Sequence, residues 1–315
     1  MSVLVTGCAG FIGSHLCEAL LNRGDSVIGI DRMTDNYSIK VKHKNLSLFE
    51  RHPKFTYHPG NLIDIDLLPI LEQVDCVFHT AGQPGVRSSW GSHFETYLEN
   101  NILATQRILE SIKLLNKSIR LIYSSSSSIY GNADCLPVTE TTLPRPYSPY
   151  GTTKLAAEHL CHLYQQNYQV PTVSLRYFTV YGPRQRPDMG FHIFIKAMLN
   201  NQTISVLGDG LQTRDFTFVG DIIQANLLAA EKSVEGEVFN IGGGSHRSLM
   251  DVFTILQNVS GIQPRLEFRS AEKGDVRDTW ADTRKAQTTL GFHPQVDLQE
   301  GLRQQFAWET TVYPR

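Results

Sequence analysis

The chain has 315 residues, a formal net charge of -2 at pH 7, 41% hydrophobic residues and 19% charged residues. These values are typical of a soluble enzyme with two lobes, and they exclude a disordered chain. With no basic face for nucleic acid, no apolar run of the roughly 18 residues that span a membrane, and no signal peptide, the sequence predicts a cytoplasmic protein that binds neither nucleic acid nor membrane.

A strand, a glycine-rich turn, a helix and a second strand are predicted first, at residues 3–7, 7–13, 14–23 and 26–31. Gly7, Gly10 and Gly13 let the backbone turn tightly and approach a pyrophosphate, and the helix N-terminus offers its N–H groups to the phosphates. Asp31 ends the second strand, where a carboxylate accepts hydrogen bonds from an adenosine ribose and repels a 2′-phosphate. The pattern predicts a dinucleotide site that prefers NAD to NADP, although Arg32 softens that repulsion.

Further strands are predicted at residues 54–58, 75–79, 119–123 and 172–176, and they alternate with helical patterns such as residues 95–115. This alternation predicts an α/β fold with a doubly wound parallel sheet. Ligands of such sheets bind beyond the carboxyl ends of the strands. The five serines at 124–128 follow one of these strands, so we interpret them as part of a site and not as a flexible linker.

A helix that begins at Pro149 places Tyr150 and Lys154 one turn apart on the same face. The pKa of a phenol is near 10, and lowering it by about 3 units for catalysis at neutral pH takes roughly 4 kcal/mol. We expect the Lys154 ammonium and a positive nicotinamide ring to supply this stabilisation. His159, Cys161 and His162 on the same helix are interpreted as helix surface and core, because no carboxylate or second Cys/His pair stands at ligand spacing nearby, and no metal is expected.

Four segments together resemble the extended short-chain dehydrogenase/reductase family that modifies nucleotide sugars. They are TGCAGFIG at 6–13, YSSSSSIYG at 123–131, YGTTK at 150–154 and RYFTVYGPRQRPDMGF at 176–191. The similarity runs from Val3 to about Trp308, and GQPGVRSSWGSHF at 82–94 resembles the UDP-glucuronate 4-epimerases of the family. The resemblance implies a Rossmann fold and NAD-dependent conversion of UDP-glucuronate to UDP-galacturonate. The implied reaction passes through a transient 4-keto sugar, with the hydride returned to the opposite face.

The resemblance also implies the role of individual residues. Tyr150 is implied as the general base, Lys154 as the residue that tunes it and binds ribose, and Ser126 as a partner of the reacting hydroxyl. The residues implied to bind NAD are Gly7, Gly10, Phe11, Ile12, Gly13, Asp31, Arg32, Asn61, Leu62, Ala81, Asn101, Tyr150, Lys154 and Tyr177. Those implied to bind the UDP-sugar are Arg87, Ser126, Ser127, Ser128, Thr179, Arg186, Arg214 and Asp275.

The sequence departs from the family pattern at two of these places. Asn61 stands where an Asp is common, which leaves the adenine contact possible but changes its charge. Glu272 stands where many relatives carry a phosphate-binding Arg, and Arg277 and Arg87 are the candidates to replace it.

Two discontinuous lobes and a homodimer follow from the same resemblance. Residues 1–177 and about 218–242 are expected to form the NAD-binding lobe, and about 178–217 and 243–315 a smaller α/β lobe that binds the nucleotide sugar. Helices near 282–290 and 297–309 are expected to cap the substrate side. The helices at 95–115 and 150–168 are expected to form the dimer contact.

Three interpretations of the function stay open at this point. The first is a UDP-hexuronate 4-epimerase, and the second is a 4,6-dehydratase, a UDP-glucuronate decarboxylase or a neutral UDP-hexose epimerase. The third is a non-catalytic dinucleotide-binding protein, against which the set of Ser126, Tyr150 and Lys154 speaks. Ser127 and Ser128 replace the acids of the family's dehydratases and decarboxylases, which disfavours elimination. Thr179 replaces the Asn of the neutral-hexose epimerases, which favours a uronate.

Overall fold

The computed structural model of the chain describes residues 1–270 and 274–312. A seven-stranded parallel sheet lies at its centre, accompanied by three two-stranded sheets. The strands are β1 Ser2–Thr6, β2 Ser26–Asp31, β3 Phe55–Pro59, β4 Cys76–His79, β5 Arg120–Ser126, β6 Thr172–Tyr177, β7 Val180–Tyr181, β8 Thr203–Leu207, β9 Thr213–Asp215, β10 Thr217–Phe218, β11 Val238–Ile241, β12 His246–Ser248 and β13 Arg265–Arg269. The large sheet has the order β3-β2-β1-β4-β5-β6-β11, which confirms the predicted doubly wound α/β fold.

Helices cover both faces of this sheet. The α-helices are α1 Phe11–Arg23, α2 Ile39–Leu46, α3 Leu68–Leu71, α4 Phe94–Tyr97, α5 Ala104–Leu115, α6 Pro149–Tyr168, α7 Gly190–Leu199, α8 Val219–Glu231, α9 Leu249–Ser260 and α10 Leu298–Val312. The pair α1 and α8 packs on one face, and α3, α5 and α6 pack on the other. No helix of the described residues is long and apolar enough to span a bilayer.

Helix ends fix the two segments that matter most for the site. Helix α1 begins after Gly10 and ends at Gly24, whose φ of 92° is in the left-handed region that favours glycine. Helix α6 begins with Pro149, and the side chain of Ser148 caps it by accepting a 3.1 Å hydrogen bond from the N–H of Gly151. Both helices therefore start at defined residues beside the carboxyl edge of the sheet.

The predicted helix at 95–115 contains a π-helical segment, Leu98–Leu103, between α4 and α5. A π-turn adds one residue to the helical register, and such turns occur frequently at functional sites. The apolar periodicity of the sequence cannot show this change in hydrogen-bond register. Asn101 is buried within the segment.

Strand β5 is longer than the sequence predicts. The expected strand ends at Tyr123, whereas β5 continues through Ser126 and pairs with β6 along its length, with Ser126 opposite Tyr177. The first three serines of the run are therefore buried strand residues, and the 3₁₀ turn Ser127–Ile129 follows them. Ladder hydrogen bonds to β6 satisfy the serine backbone, so small polar side chains do not end the strand here.

The remaining strands form three small sheets: β7 with β10, β8 with β13, and β9 with β12. Helix α10 packs against α7 and α9 in this part of the molecule. A helical segment lies within the predicted range 282–290: the π-helical Ala286–Leu290, which packs against α8 and β11. The burial of Ala286 and Leu290 ties the C-terminal part of the chain to the edge of the large sheet.

Candidate active site

A cavity opens at the carboxyl edge of the large sheet, where the connections leave β1 and β4 in opposite directions. Such a point is where ligands bind in doubly wound folds. All residues predicted to bind NAD line this cavity except Asn101, which lies behind it, and Arg186 of the predicted substrate residues lines it as well. The sequence-predicted cofactor residues are thus brought together by the fold.

The middle of the cavity is formed by the glycine turn and the first turn of α1. Gly7 has a φ of 71°, and a Cβ added to Gly13 would stand 2.1 Å from the carbonyl oxygen of Gly7. Gly10 provides no side chain to cap the helix, and Phe11 and Ile12 line the cavity directly after it. The N–H groups of this first turn therefore suit an anionic diphosphate, as the sequence predicts.

Asp31 lies at one end of the cavity, at the end of β2. Its carboxylate accepts hydrogen bonds from the N–H of Ala9 at 3.2 Å and from the N–H of Met33 at 2.8 Å. The ammonium of Lys42 lies 3.7 Å from the same carboxylate. The carboxylate is therefore held in a fixed orientation at the place where the adenosine ribose of NAD is expected.

Tyr150, Lys154 and Ser126 meet at the other end of the cavity. Ser126 makes a hydrogen bond with the hydroxyl of Tyr150. The ammonium of Lys154 is buried and donates a 2.8 Å hydrogen bond to the carbonyl oxygen of Ser124. Tyr97 packs edge-on against Tyr150, with ring centroids 6.3 Å apart. This arrangement is the one that a general acid–base pair with a positioned hydroxyl requires.

Burial changes the pKa values of both residues. It lowers the pKa of Lys154 to about 8, so the ammonium form still predominates at pH 7. Burial raises the pKa of Tyr150 above its usual value of 10, and the hydrogen bond from Ser126 and the charge of Arg186 only partly oppose this effect. The pKa of Tyr150 is therefore not lowered in the protein without cofactor, contrary to what the position of Lys154 led us to expect. Desolvation of the phenolate raises this pKa by more than the neighbouring groups lower it.

Asn101 joins two segments of the cavity wall from behind. Its side-chain oxygen accepts a 2.7 Å hydrogen bond from the N–H of Gln83, and its amide nitrogen donates to the carbonyl oxygen of Gln83 at 3.1 Å. The same nitrogen donates to the hydroxyl of Thr153 at 2.9 Å. Asn101 thereby fixes the loop after β4 to the turn of α6 between Tyr150 and Lys154.

The serines of β5 point to different partners. Ser124 donates a 3.2 Å hydrogen bond to the hydroxyl of Tyr177, which lines the cavity. Ser125 donates a 2.6 Å hydrogen bond to Glu158 of α6. Ser126 contacts Tyr150, as described above. The three hydroxyls are thus shared among Tyr177, Glu158 and Tyr150.

A buried ion pair supports α6 beneath the cavity. Glu158 and Arg176 have side chains that are each only 6% exposed, and two hydrogen bonds of 2.6 and 3.1 Å join them. Arg176 also donates to the hydroxyl of Tyr130 at 2.6 Å and to the carbonyl oxygen of Glu140 at 3.1 Å. The pair therefore connects α6, β6 and the segment after β5 in one polar network.

Arg87, Arg214 and Asp275, which are also predicted to bind the substrate, do not line the cavity. Arg87 forms a 2.5 Å ion pair with Asp275, and Arg214 lies near both while donating hydrogen bonds to the carbonyl oxygens of Val276 and Arg277. Burial lowers the pKa of Arg214, and the charge of Asp275 opposes this shift. Two guanidinium groups thus lie together, whereas Glu272 and Lys273 fall outside the described residues.

Ser127, Ser128 and Thr179 lie where the neighbouring strands β5 and β6 end. Ser127 and Ser128 belong to the 3₁₀ turn after β5, and Thr179 lies between β6 and β7. All three side chains are half-buried. Hydroxyl groups are therefore available beside Ser126, and no carboxylate occupies either position of the turn.

Sequence reasoning missed the segment that follows Asp31. Thr34, Asn36, Tyr37 and Lys42 line the cavity although none of them belongs to a recognised motif. Their position after the carboxyl end of β2 is the only signal in the sequence that points to them. Lys42 comes close to Asp31 because of where α2 lies relative to β2. The sequence pattern does not reveal this position.

The model of the family described as GDP-mannose 4,6 dehydratase matches residues 4–305 of the chain. An uncharacterized UDP-glucose epimerase of Bacillus subtilis, YtcB, is 43% identical over 316 residues, which cover 99% of both chains. The UDP-glucuronate 4-epimerase of Thermodesulfobacterium geofontis is 34% identical over 309 residues, covering 97% of this chain and 95% of that protein.

A solved structure shows the same likeness in three dimensions. The crystal structure of the UDP-glucuronic acid 4-epimerase from Bacillus cereus, in complex with UDP-glucuronic acid and NAD, is 44% identical and has a TM-score of 0.96. The match covers 99% of this chain and 100% of that chain. Both the fold and the whole length of the chain are therefore shared with this enzyme.

Proposed function

Because the chain belongs to the GDP-mannose 4,6 dehydratase family, within the extended short-chain dehydrogenases/reductases, we propose that it is an NAD-dependent UDP-glucuronate 4-epimerase that forms UDP-galacturonate. The observation that carries the proposal is the meeting of Ser126, Tyr150 and Lys154 at the end of a cavity that suits a dinucleotide. Relatives and structural neighbours named as UDP-glucuronate 4-epimerases support the same substrate.

Tyr150 and its neighbours are proposed to move the proton of the reaction. Tyr150 takes the proton of the sugar 4-hydroxyl, while the hydroxyl of Ser126 orients the reacting oxygen. NAD, when bound, accepts the hydride from C4 and returns it to the opposite face of the sugar. Lys154 is anchored on the carbonyl oxygen of Ser124 and keeps two further N–H donors for a ribose. Because burial raises the pKa of Tyr150, its ionised form needs added positive charge, which an oxidised nicotinamide supplies.

The simplest test is turnover of three UDP-sugars side by side. UDP-glucuronate is expected to be converted to UDP-galacturonate without added oxidant, since the hydride that is removed is also returned. NADH is not expected to accumulate with product. A protein that reduces one equivalent of NAD for each product, or that converts none of UDP-glucuronate, UDP-galacturonate and UDP-glucose, is not the proposed enzyme.

A neutral UDP-hexose 4-epimerase is the second candidate. The Bacillus subtilis relative that is 43% identical is named as a UDP-glucose epimerase, and this observation favours it. Thr179 and the serines of the turn after β5 favour the uronate, because they offer several hydroxyl donors without a negative charge. Faster turnover of UDP-glucose than of UDP-glucuronate in the same assay would make this second candidate the better one.

The hydroxyls of Ser127, Ser128 and Thr179 are proposed to hold the substrate carboxylate. A 4-ketone formed from UDP-glucuronate is β to the C5 carboxylate, and it loses carbon dioxide when the breaking bond aligns with the carbonyl π system. Hydrogen bonds to a carboxylate are roughly twice as strong as neutral ones, so a ring of donors holds the group out of that alignment. An acid in the same place would repel it.

Ser127→Ala and Thr179→Ala are each expected to raise the ratio of UDP-4-keto-pentose plus carbon dioxide to epimerised product by about tenfold, the loss of one charged hydrogen bond. The ratio is measured by chromatography of the UDP-sugars together with trapped carbon dioxide. Thr141→Ala, which changes an exposed threonine that does not line the cavity, is the control. Variants that never release carbon dioxide and that epimerise UDP-glucose as well as UDP-glucuronate would contradict the carboxylate role.

Arg87, Arg214 and Asp275 are proposed to bind the UDP moiety. Two guanidinium groups match the charge of a diphosphate, and Asp275 is suited to accept hydrogen bonds from the uridine ribose. When UDP binds, the ion pair between Arg87 and Asp275 breaks, and both side chains contact the substrate instead. Arg214→Ala is expected to weaken UDP binding in calorimetry, and unchanged affinity would remove it from the site.

The division into lobes is also proposed. Residues 1–177 and about 218–242 contribute the whole large sheet, and about 178–217 and 243–315 contribute most of the small sheets. Hydrogen exchange tests the division, since UDP is expected to protect amides mainly in the second group and NAD in the first. Protection spread equally over both groups would argue against it.

We further propose a cytoplasmic homodimer. The helices expected to form the contact leave leucines exposed, among them Leu98, Leu103 and Leu163. Cys8, Cys17, Cys76 and Cys161 are buried and unpaired, as in proteins of reducing compartments. Light scattering is expected to give twice the chain mass of 35.4 kDa, and a monomer mass would contradict the dimer.

A further inference from the structure

Lys42 is a buried cation at the ribose end of the cavity. Its side chain is 6% exposed, and its ammonium lies 3.7 Å from the carboxylate of Asp31, which is 7% exposed. The ammonium donates a 2.7 Å hydrogen bond to the hydroxyl of Thr34, and it lies 5.2 Å from the centre of the Tyr37 ring. These contacts hold the charge at the cavity wall, because Lys42, Thr34 and Tyr37 all line it.

The charge of Asp31 is partly balanced by this arrangement, and the remaining negative charge still opposes a phosphate. Two backbone N–H groups, those of Ala9 and Met33, donate to its oxygens, and Lys42 contributes a full positive charge nearby. A carboxylate excludes the 2′-phosphate of NADP mainly by charge repulsion. That repulsion is weakened where a cation stands within about 4 Å in a partly buried site.

The cavity continues past Asp31 on the side where Lys42 lies. Arg32, Thr34 and Asn36 line this extension, and Arg32 and Asn36 are exposed to solvent. Two cations and two polar side chains therefore surround space next to the expected position of the ribose. Cations and hydroxyl or amide donors are the groups that bind phosphate in proteins.

We propose that Lys42, assisted by Arg32, forms a latent binding site for a 2′-phosphate, and that Asp31 alone keeps this site closed. Lys42 is therefore a residue that determines cofactor specificity. In the wild-type protein its role is to orient Asp31. The inference rests on the dinucleotide-binding part of the proposed function. It goes beyond that function in predicting that one substitution, without any added cation, opens the site to NADP.

The experiment measures which cofactor the purified full-length chain carries. Wild-type, Asp31→Asn, Asp31→Asn/Lys42→Met and Asp31→Asn/Lys42→Arg proteins are denatured in acid, and the released NAD and NADP are quantified by chromatography. Thermal unfolding in the presence of added NAD or NADP provides a second readout that does not depend on activity.

The wild-type protein is expected to release NAD, and Asp31→Asn is expected to raise the NADP-to-NAD ratio by about 100-fold, a value within the range for close charge pairs. The Lys42→Met change in that background is expected to remove most of this gain, whereas Lys42→Arg keeps it. Arg32→Ala is expected to remove less, because Arg32 is exposed and its charge is screened by solvent.

Two outcomes would overturn the inference: an Asp31→Asn protein that takes up no NADP, or an Asp31→Asn/Lys42→Met protein that holds as much NADP as Asp31→Asn. Asp31→Ser repeats the test with a smaller neutral side chain if Asp31→Asn does not fold. The failure of the proposed function looks different, because the wild-type protein then carries neither dinucleotide and gains no thermal stability from either one.

Discussion

Replacing Tyr150 by Phe is expected to lower the turnover of UDP-glucuronate by about 10² to 10⁴, the range for a positioned acid–base group. The substitution removes only the hydroxyl that is hydrogen-bonded to Ser126, and the ring keeps its edge-on contact with Tyr97. The effect is therefore expected in kcat, with little change in the affinity for UDP-sugar or in the NAD content of the protein. Kinetics, calorimetry with UDP-sugar, and cofactor extraction measure the three quantities.

Tyr147→Phe is the matched control for this variant. Tyr147 lies three residues earlier, just before α6, and is 50% exposed. It loses the same hydroxyl group at a place outside the cavity, so its turnover is expected to equal that of the wild type. If Tyr150→Phe instead loses UDP-sugar binding or NAD to the same degree as turnover, Tyr150 has a structural role.

Glu158→Gln is expected to destabilise the protein by about 3–5 kcal/mol, because it leaves the charge of buried Arg176 uncompensated. The carboxylate accepts two hydrogen bonds from Arg176 and one from Ser125, and the amide can reproduce only part of this set. Urea unfolding at saturating NAD measures the free energy of unfolding, with the cofactor concentration held equal for all variants.

Glu267→Gln is the control for the ion pair. Glu267 forms an ion pair with Arg269, but both side chains are more than half exposed, so no measurable change in stability is expected. The Glu158→Gln variant is also expected to bind UDP-sugar normally when it is folded, since neither partner of the pair lines the cavity. A loss of stability below about 1 kcal/mol would mean that the network around Arg176 adapts to the amide.

The parts of the fold that rest on local pattern were predictable from the sequence. The glycine turn, Asp31 at the end of β2, and the helical spacing of Tyr150 and Lys154 each follow from residue type and periodicity within one element. These features also bring their residues to one edge of a parallel sheet, because β1, β2, β5 and β6 run in the same direction. The location of the site therefore followed from the order of elements.

Interactions between distant segments were not predictable in this way. The partner of Arg87 is Asp275, 188 residues away, and the partner of Ser125 is Glu158 on a helix that follows a long loop. The raised pKa of Tyr150 depends on how completely packing removes it from water, which one sequence does not specify. The role of Lys42 depends on the placement of α2 above β2.

The late position of β11 in the chain affects how the protein folds during synthesis. This strand, Val238–Ile241, completes the large sheet by pairing with β6, so the backbone edge of β6 stays uncovered until residue 241 of 315 has been made. Residues Thr172–Tyr177 of β6 are all buried in the finished protein, and an open strand edge with such side chains favours pairing between chains. Nascent chains that stall before β11 is made are therefore expected to aggregate, and to depend on chaperones more than the completed chain does.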